Sequence, residues 1–175
     1  MEPLELDTIQ KEITVTASQK TAFEVFVNQM GLWWPASGHT EDCPMVKVSL
    51  EPKTGGRWFG YNSDGGEREL GKVLVYDPYA LFALDWQTGG NLRFNADLHT
   101  EVRVEFIIEG EKQTRVKLTH SDVQRLGEAA SGINRGWSGI MEVYQNFISN
   151  SVTTRISIRI SPEEALQKIG GVDRG

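Results

Sequence analysis

The residue best placed for chemistry is His120, the last of an alternating run with Val116 and Leu118. Its parity sets an imidazole on the apolar face of a strand, where a polar ring needs a partner. Three roles are open to it: a satisfied structural histidine, a contact to a ligand carbonyl, or an acid–base group near neutral pH. The first is the commonest at such a position. Trp58, Trp86, Trp137 and Tyr144 are the next candidates. Rings of this size can wall an apolar cavity and orient a ligand through their N–H and O–H groups, or they can simply fill a core. Met141, one helical turn from Trp137, suits an adaptable pocket and equally a core gap. Arg57, following Gly55-Gly56, can anchor a carboxylate bidentately or stand solvated.

Other constellations lead nowhere. His39 and Cys43 lie four apart beside Glu41 and Asp42, but zinc needs three or four preorganised ligands, and His99 and His120 belong to distant segments. No metal site is therefore expected. Cys43 has no histidine placed beside it, so a nucleophilic thiol is not expected either. Gly136-Trp137-Ser138-Gly139 is one residue short of a nucleophile elbow and follows no strand. Neither a dinucleotide-binding glycine fingerprint nor a phosphate-binding loop occurs. No catalytic residue is assigned, and no cofactor is expected.

The chain has 175 residues, which suits one domain. With 18 Lys+Arg against 24 Asp+Glu the formal charge is −6, and no basic run interrupts that balance. The electrostatic attraction behind most binding to nucleic acid or anionic membrane is absent, so neither partner is expected. One cysteine excludes an intrachain disulfide. The start, Met1 to Asp7, is acidic where a secretory signal is basic and then apolar, and no apolar run approaches the ~20 residues that span a bilayer. A cytoplasmic location without membrane insertion is the expectation.

The elements that must position these residues follow from periodicity. Ile9, Ile13 and Val15 predict a first strand. Ser18 reads as an N-cap for a helix over 19–30 carrying Ala22, Phe23, Val25, Phe26 and Met30, with Gly31 as its stop. Leu32-Trp33-Trp34-Pro35 reads as a buried corner and 36–44 as a polar loop. From Met45 to His120 the period is two, broken by turn signals, which predicts strands over 45–51, 56–62, 68–77, 80–87, 100–109 and 113–120. The last two form a hairpin whose inner face carries Val102, Val104, Phe106, Val116, Leu118 and His120. Residues 122–136 contain three glycines and read as a loop or frayed helix start. Trp137, Ile140, Met141, Tyr144, Phe147 and Ile148 then recur at steps of three and four, a helix that must cover the sheet. Beyond 150, alternating Ile156, Ile158 and Ile160 predict a strand over 152–160, and Ser161-Pro162-Glu163-Glu164 the capped start of a short helix over 162–169.

Trp33-Trp34-Pro35, Gly55-Gly56-Arg57-Trp58, Gly71-Lys72-Val73-Leu74 with Asp77-Pro78, Leu81 to Trp86, Thr100 to Phe106, Thr114 to His120 and Gly136-Trp137 resemble, in that order, the motifs of START-like (SRPBCC) domains. They are most similar to the branch named for the C-terminal domain of the activator of the 90-kDa heat-shock protein ATPase. The resemblance spans about residues 8 to 150. It implies an α+β helix-grip fold over 1–150: a curved antiparallel sheet of about seven strands around a long C-terminal helix, with two short helices after the first strand. It implies an apolar cavity used across the superfamily for hydrophobic molecules, and no one activity. Residues 151–175 fall outside the usual pattern as an extension through which a homodimer can form.

Three functions compete. The favoured one is non-catalytic binding of a small hydrophobic ligand, a carrier or sensor with ligand contacts from Trp58, Trp86, His120, Trp137, Met141, Tyr144 and Arg57. The second is an enzyme of the polyketide cyclase, aromatase or dehydratase type, with His120 and Tyr144 or Arg57 moving protons. The third is a chaperone-associated interaction module, suggested by the branch name alone. Complete chaperone activators carry a separate N-terminal domain, for which 175 residues leave no room, so this chain is expected not to stimulate the chaperone.

Overall fold

The computed structural model describes residues 7–35, 45–88 and 94–150 in full and the backbone of 151–169. Seven strands, β1 (Ile9–Val15), β2 (Met45–Leu50), β3 (Arg57–Asn62), β4 (Glu67–Asp77), β5 (Leu81–Trp86), β6 (Thr100–Gly110) and β7 (Gln113–His120), form one sheet. Its order is β1-β7-β6-β5-β4-β3-β2, every neighbouring pair antiparallel. Each predicted strand from β1 to β7 falls within two residues of its expected ends. This is the helix-grip architecture, a curled sheet closed on one side by helix α3 (Ala129–Ile169).

Register confirms the expected parity. Val102 lies opposite His120, Val104 opposite Leu118 and Phe106 opposite Val116, and all six are at most 2% exposed, so this face is the core. Bulges bend the sheet around the helix: pairing slips between Trp58 and Phe59, between Val73 and Val75, and between Ile108 and Gly110. At the first of these Trp58 and Phe59 are both buried, one on each face. Gly71, opposite both Trp58 and Trp86, has to be glycine, because a Cβ there would collide with the Asp85 carbonyl oxygen.

After β1, Ser18 caps α1 (Gln19–Phe23), accepting the Thr21 amide N–H at 3.2 Å as its sequence position suggested. The expected single helix is instead three pieces. α1 passes into a wide π turn over Glu24–Asn28, where Val25, Phe26 and Val27 are all buried, and then into α2 (Met30–Trp33). Gly31 is not the stop. It lies inside α2, where a Cβ would stand 2.8 Å from the Val48 carbonyl oxygen, so its role is to let this helix approach β2. The chain leaves at Trp34-Pro35, where proline and its predecessor disfavour further helix.

Two further expectations are corrected at α3. The helix starts at Ala129, eight residues before the apolar stripe, despite the glycines of that stretch. Helix propensity is a weak term beside burial, and Ala130 and Ile133 pack onto the core. Past 150 the backbone stays helical to Ile169, in place of the strand over 152–160 and separate short helix. A strand satisfies its amides only by pairing with an edge, whereas a helix bonds internally. Side chains of 151–175, and with them the expected homodimer surface, lie outside the described residues, as do His39 and Cys43.

Candidate functional site

The curled sheet and α3 do not close on each other along their whole length. Toward the N-terminal half of α3 they leave a cavity of about 670 Å³. The sheet wall is Met45 from β2, Trp58 from β3, Leu70 from β4 and Trp86 from β5, with Thr88 just beyond it. The helix wall carries Gly132, Ile133, Gly136, Trp137, Gly139 and Ile140. Trp34 and Pro35 form the third side, and exposed Pro35 and Val143 mark the mouth.

Four indoles line this space. Trp58 and Trp86 sit 5.1 Å apart between ring centroids, Trp86 and Trp137 5.5 Å, and Trp34 stands at 90° to Trp137 at 5.7 Å. Their N–H groups differ. Trp86 Nε1 donates to the Thr88 carbonyl at 2.7 Å, and Trp137 Nε1 donates to His120 Nδ1 at 3.0 Å. Trp58 is 2% exposed and its Nε1 has no hydrogen-bond partner among the described residues. No side chain of the described lining titrates.

His120 stands behind this wall, not on it. An indole N–H only donates, so Nδ1 accepts and the ring proton sits on Nε2, which donates to Thr100 Oγ1 at 2.8 Å. The threonine hydroxyl passes the chain on to the Trp86 carbonyl at 3.1 Å. Both ring nitrogens are thereby satisfied, and burial pushes the pKa from 6.5 down to about 4, leaving the ring neutral at pH 7. Of the three roles open to His120, the geometry matches the structural one: it fixes the indole of Trp137 and, through Thr100, the strand end carrying Trp86.

Tyr144 and Met141 also sit off the lining. Tyr144 is wholly buried and donates to the Ala22 carbonyl at 2.8 Å, and burial raises its pKa far beyond the ordinary phenol range. Met141, 2% exposed, fills core between Trp137 and Tyr144 in the helix stripe. Arg57 points to the outer face. Its guanidinium bonds Glu69 and Glu67 and stacks 4.2 Å over the Phe59 ring, and hydrogen bonding to Glu69, then Glu67, holds its pKa up. Two carboxylates already occupy the group expected to seek one. His99 pairs with Asp85 at 2.7 Å, also outside the cavity.

The structure thus brings Trp58, Trp86 and Trp137 together and leaves His120, Met141, Tyr144 and Arg57 off the wall. Sequence reasoning missed Trp34, read as a buried corner, and the glycines at 132, 136 and 139. Their spacing of four and three is itself a helical stripe, a signal hidden because glycine reads as helix-breaking.

Comparison with known proteins now bears on this geometry. Curated protein sequences give no match. Among solved structures the chain is similar to an anthrahydroquino-γ-pyrone synthase at 28% identity and a TM-score of 0.60, covering 83% of this chain and 99% of that one. It is similar to CalC, a self-sacrificing resistance protein from Micromonospora echinospora, at 27% identity and a TM-score of 0.60, covering 83% and 96%. The fold is shared with an HSP90 activator from Plasmodium falciparum at 16% identity and a TM-score of 0.58, covering 82% and 96%. The model of the "Activator of Hsp90 ATPase homolog 1-like protein" family matches residues 16–149, which takes in every strand but β1 and the helix α3 as far as the cavity and its closed neighbour, and the chain belongs to that family.

Proposed function

We propose that this protein binds a small hydrophobic molecule between the sheet and α3 and releases it unchanged, as a carrier or sensor. The observation that carries this reading is the 670 Å³ space walled by Trp34, Trp58, Trp86 and Trp137, with no titratable side chain on its described lining. That volume falls within the range of about 300 to 1,000 Å³ usual for small-molecule sites. Acid–base turnover needs a group within hydrogen-bond reach of the ligand. His120 and Tyr144 are committed to Trp137, Thr100 and Ala22 instead.

A second reading, an enzyme of the polyketide cyclase, aromatase or dehydratase type, draws support from the 28% identity to the γ-pyrone synthase. The two readings part on what leaves the cavity. Native mass spectrometry of the protein from its own cells, followed by organic extraction, is expected to give an apolar molecule near one equivalent that is recovered unaltered after incubation. Gly136→Leu, which fills the space from the helix side, should abolish that copurification while circular dichroism stays unchanged. Chemical conversion of the extracted molecule by the wild-type protein would favour the enzyme, and copurification undiminished by Gly136→Leu would remove the cavity from the argument.

A further inference from the structure

The chain has five tryptophans, and Trp34 touches each of the others. Its ring lies 5.7 Å from Trp33, 6.0 Å from Trp58, 6.5 Å from Trp86 and 5.7 Å from Trp137. Those four are buried, whereas Trp34 is half-buried. It is therefore the one indole of the cavity wall with solvent on one side.

Two successive residues divide the end of α2 between the closed and the open parts of the interface. Trp33 is pinned: its Nε1 donates to the Val25 carbonyl at 2.8 Å, and its ring lies 5.1 Å from both Phe26 and Tyr144. Trp34 follows where the helix stops, its backbone N–H held by the Met30 carbonyl at 2.9 Å. The backbone is anchored there, while no hydrogen bond to a described residue restrains the indole.

The four rings of the wall differ in what moving them breaks. Displacing Trp86 or Trp137 takes the donor from the Thr88 carbonyl or from His120 Nδ1, and a buried acceptor left unpaired is costly. Trp58, 2% exposed on a strand with neighbours on both sides, has no space to turn into. Trp34 gives up ring contacts alone, which a bound apolar molecule replaces in kind, and it can turn toward solvent.

We infer that the Trp34 indole is the door of the cavity: it turns outward to admit an apolar ligand and closes against it. This rests on the cavity-binding reading above and adds how the ligand enters. The step is a side-chain rotation on a fixed backbone, and a door closed about nine-tenths of the time slows entry about 10-fold.

Stopped-flow mixing of the whole chain with N-phenyl-1-naphthylamine, an uncharged probe that brightens in apolar surroundings, tests this. Trp34→Ala should raise the association and dissociation rate constants together, each about 10-fold, and leave the dissociation constant within about 3-fold of wild type. Trp34→Phe, a smaller ring at the same place, should fall between, and it carries the test if the alanine variant fails to fold. In protein labelled with 5-fluorotryptophan, the fluorine resonance that Trp34→Phe removes should shift further on adding probe than the one that Trp33→Phe removes. Faster dissociation with association unchanged within about 2-fold is the behaviour of a fixed wall ring, and would overturn the door while the carrier reading stood. Slower association in Trp34→Ala, or a Trp34 resonance that moves less than that of Trp33, would do the same. Binding by Trp34→Ala and not by wild type would be the same door, shut. A probe that binds neither protein would remove both readings.

Discussion

The two ends of the interface between α3 and the sheet are built from the same kind of side chain and have opposite outcomes. At the Tyr144 end, the rings of Phe26 and Trp33 close to 4.9 and 5.1 Å of Tyr144, and Phe23 and Phe26 stack on Phe106, so the gap is filled. At the Trp137 end, four indoles line a cavity. The difference lies in what faces them. α1, the π turn and α2 push Phe23, Phe26 and Trp33 into one end while α3 contributes Tyr144 and Ile148; at the other end α3 contributes Gly132, Gly136 and Gly139. Aromatic content therefore does not distinguish a core from a site. The absence of side chains opposite the rings does.

The comparison can be broken most severely at the closed end. Tyr144→Ala removes a fully buried ring and the donor to the Ala22 carbonyl, and should cost about 3 to 5 kcal/mol by chemical denaturation. A loss below about 1 kcal/mol would mean that the closed end is not the stabilising one.

The pH dependence sharpens the same contrast. Because His120 has its pKa depressed from 6.5 to about 4 in the fold, the unfolded chain takes up the proton first as pH falls. Its contribution is fully present above pH 6.5 and is lost progressively down to about pH 4. Between pH 7.5 and 4.5 the wild type should lose about 2 to 3 kcal/mol more than His120→Gln, which cannot titrate. Parallel stability curves for the two proteins would contradict the burial assigned to the ring.

Within the indole wall, equal substitutions should give unequal results. Trp137→Phe leaves His120 Nδ1 without its donor and should cost about 1 to 3 kcal/mol beyond the change in ring size. Trp58→Phe deletes an N–H that bonds nothing among the described residues, so that additional loss should be missing from its unfolding free energy. The smallest effect has the opposite sign. Gly136→Ala should stabilise by about 0.5 to 1 kcal/mol, since the added methyl meets open space and the helix gains propensity. Destabilisation there would show that the glycine serves packing.

Much of the architecture was legible in the residue order. Period-two alternation located all seven strands of the sheet and placed Val102, Val104, Phe106, Val116, Leu118 and His120 on the inner face, because burial of one side of a pleated strand leaves a local imprint on successive residues. The stripe from Trp137 to Ile148 located the covering helix for the same reason. The tertiary structure alone decided which of those inward residues border the cavity. His120, Met141 and Tyr144 share the inward parity of Trp58, Trp86 and Trp137, yet they are enclosed by Thr100, Ala22 and neighbouring rings. Arg57 found its carboxylates on β4, across a register fixed by bulges rather than by its own neighbours. Inward direction is set by two or three consecutive residues, whereas an unfilled gap depends on what several distant elements fail to supply at one point, and that is a property of their packing, not of any segment.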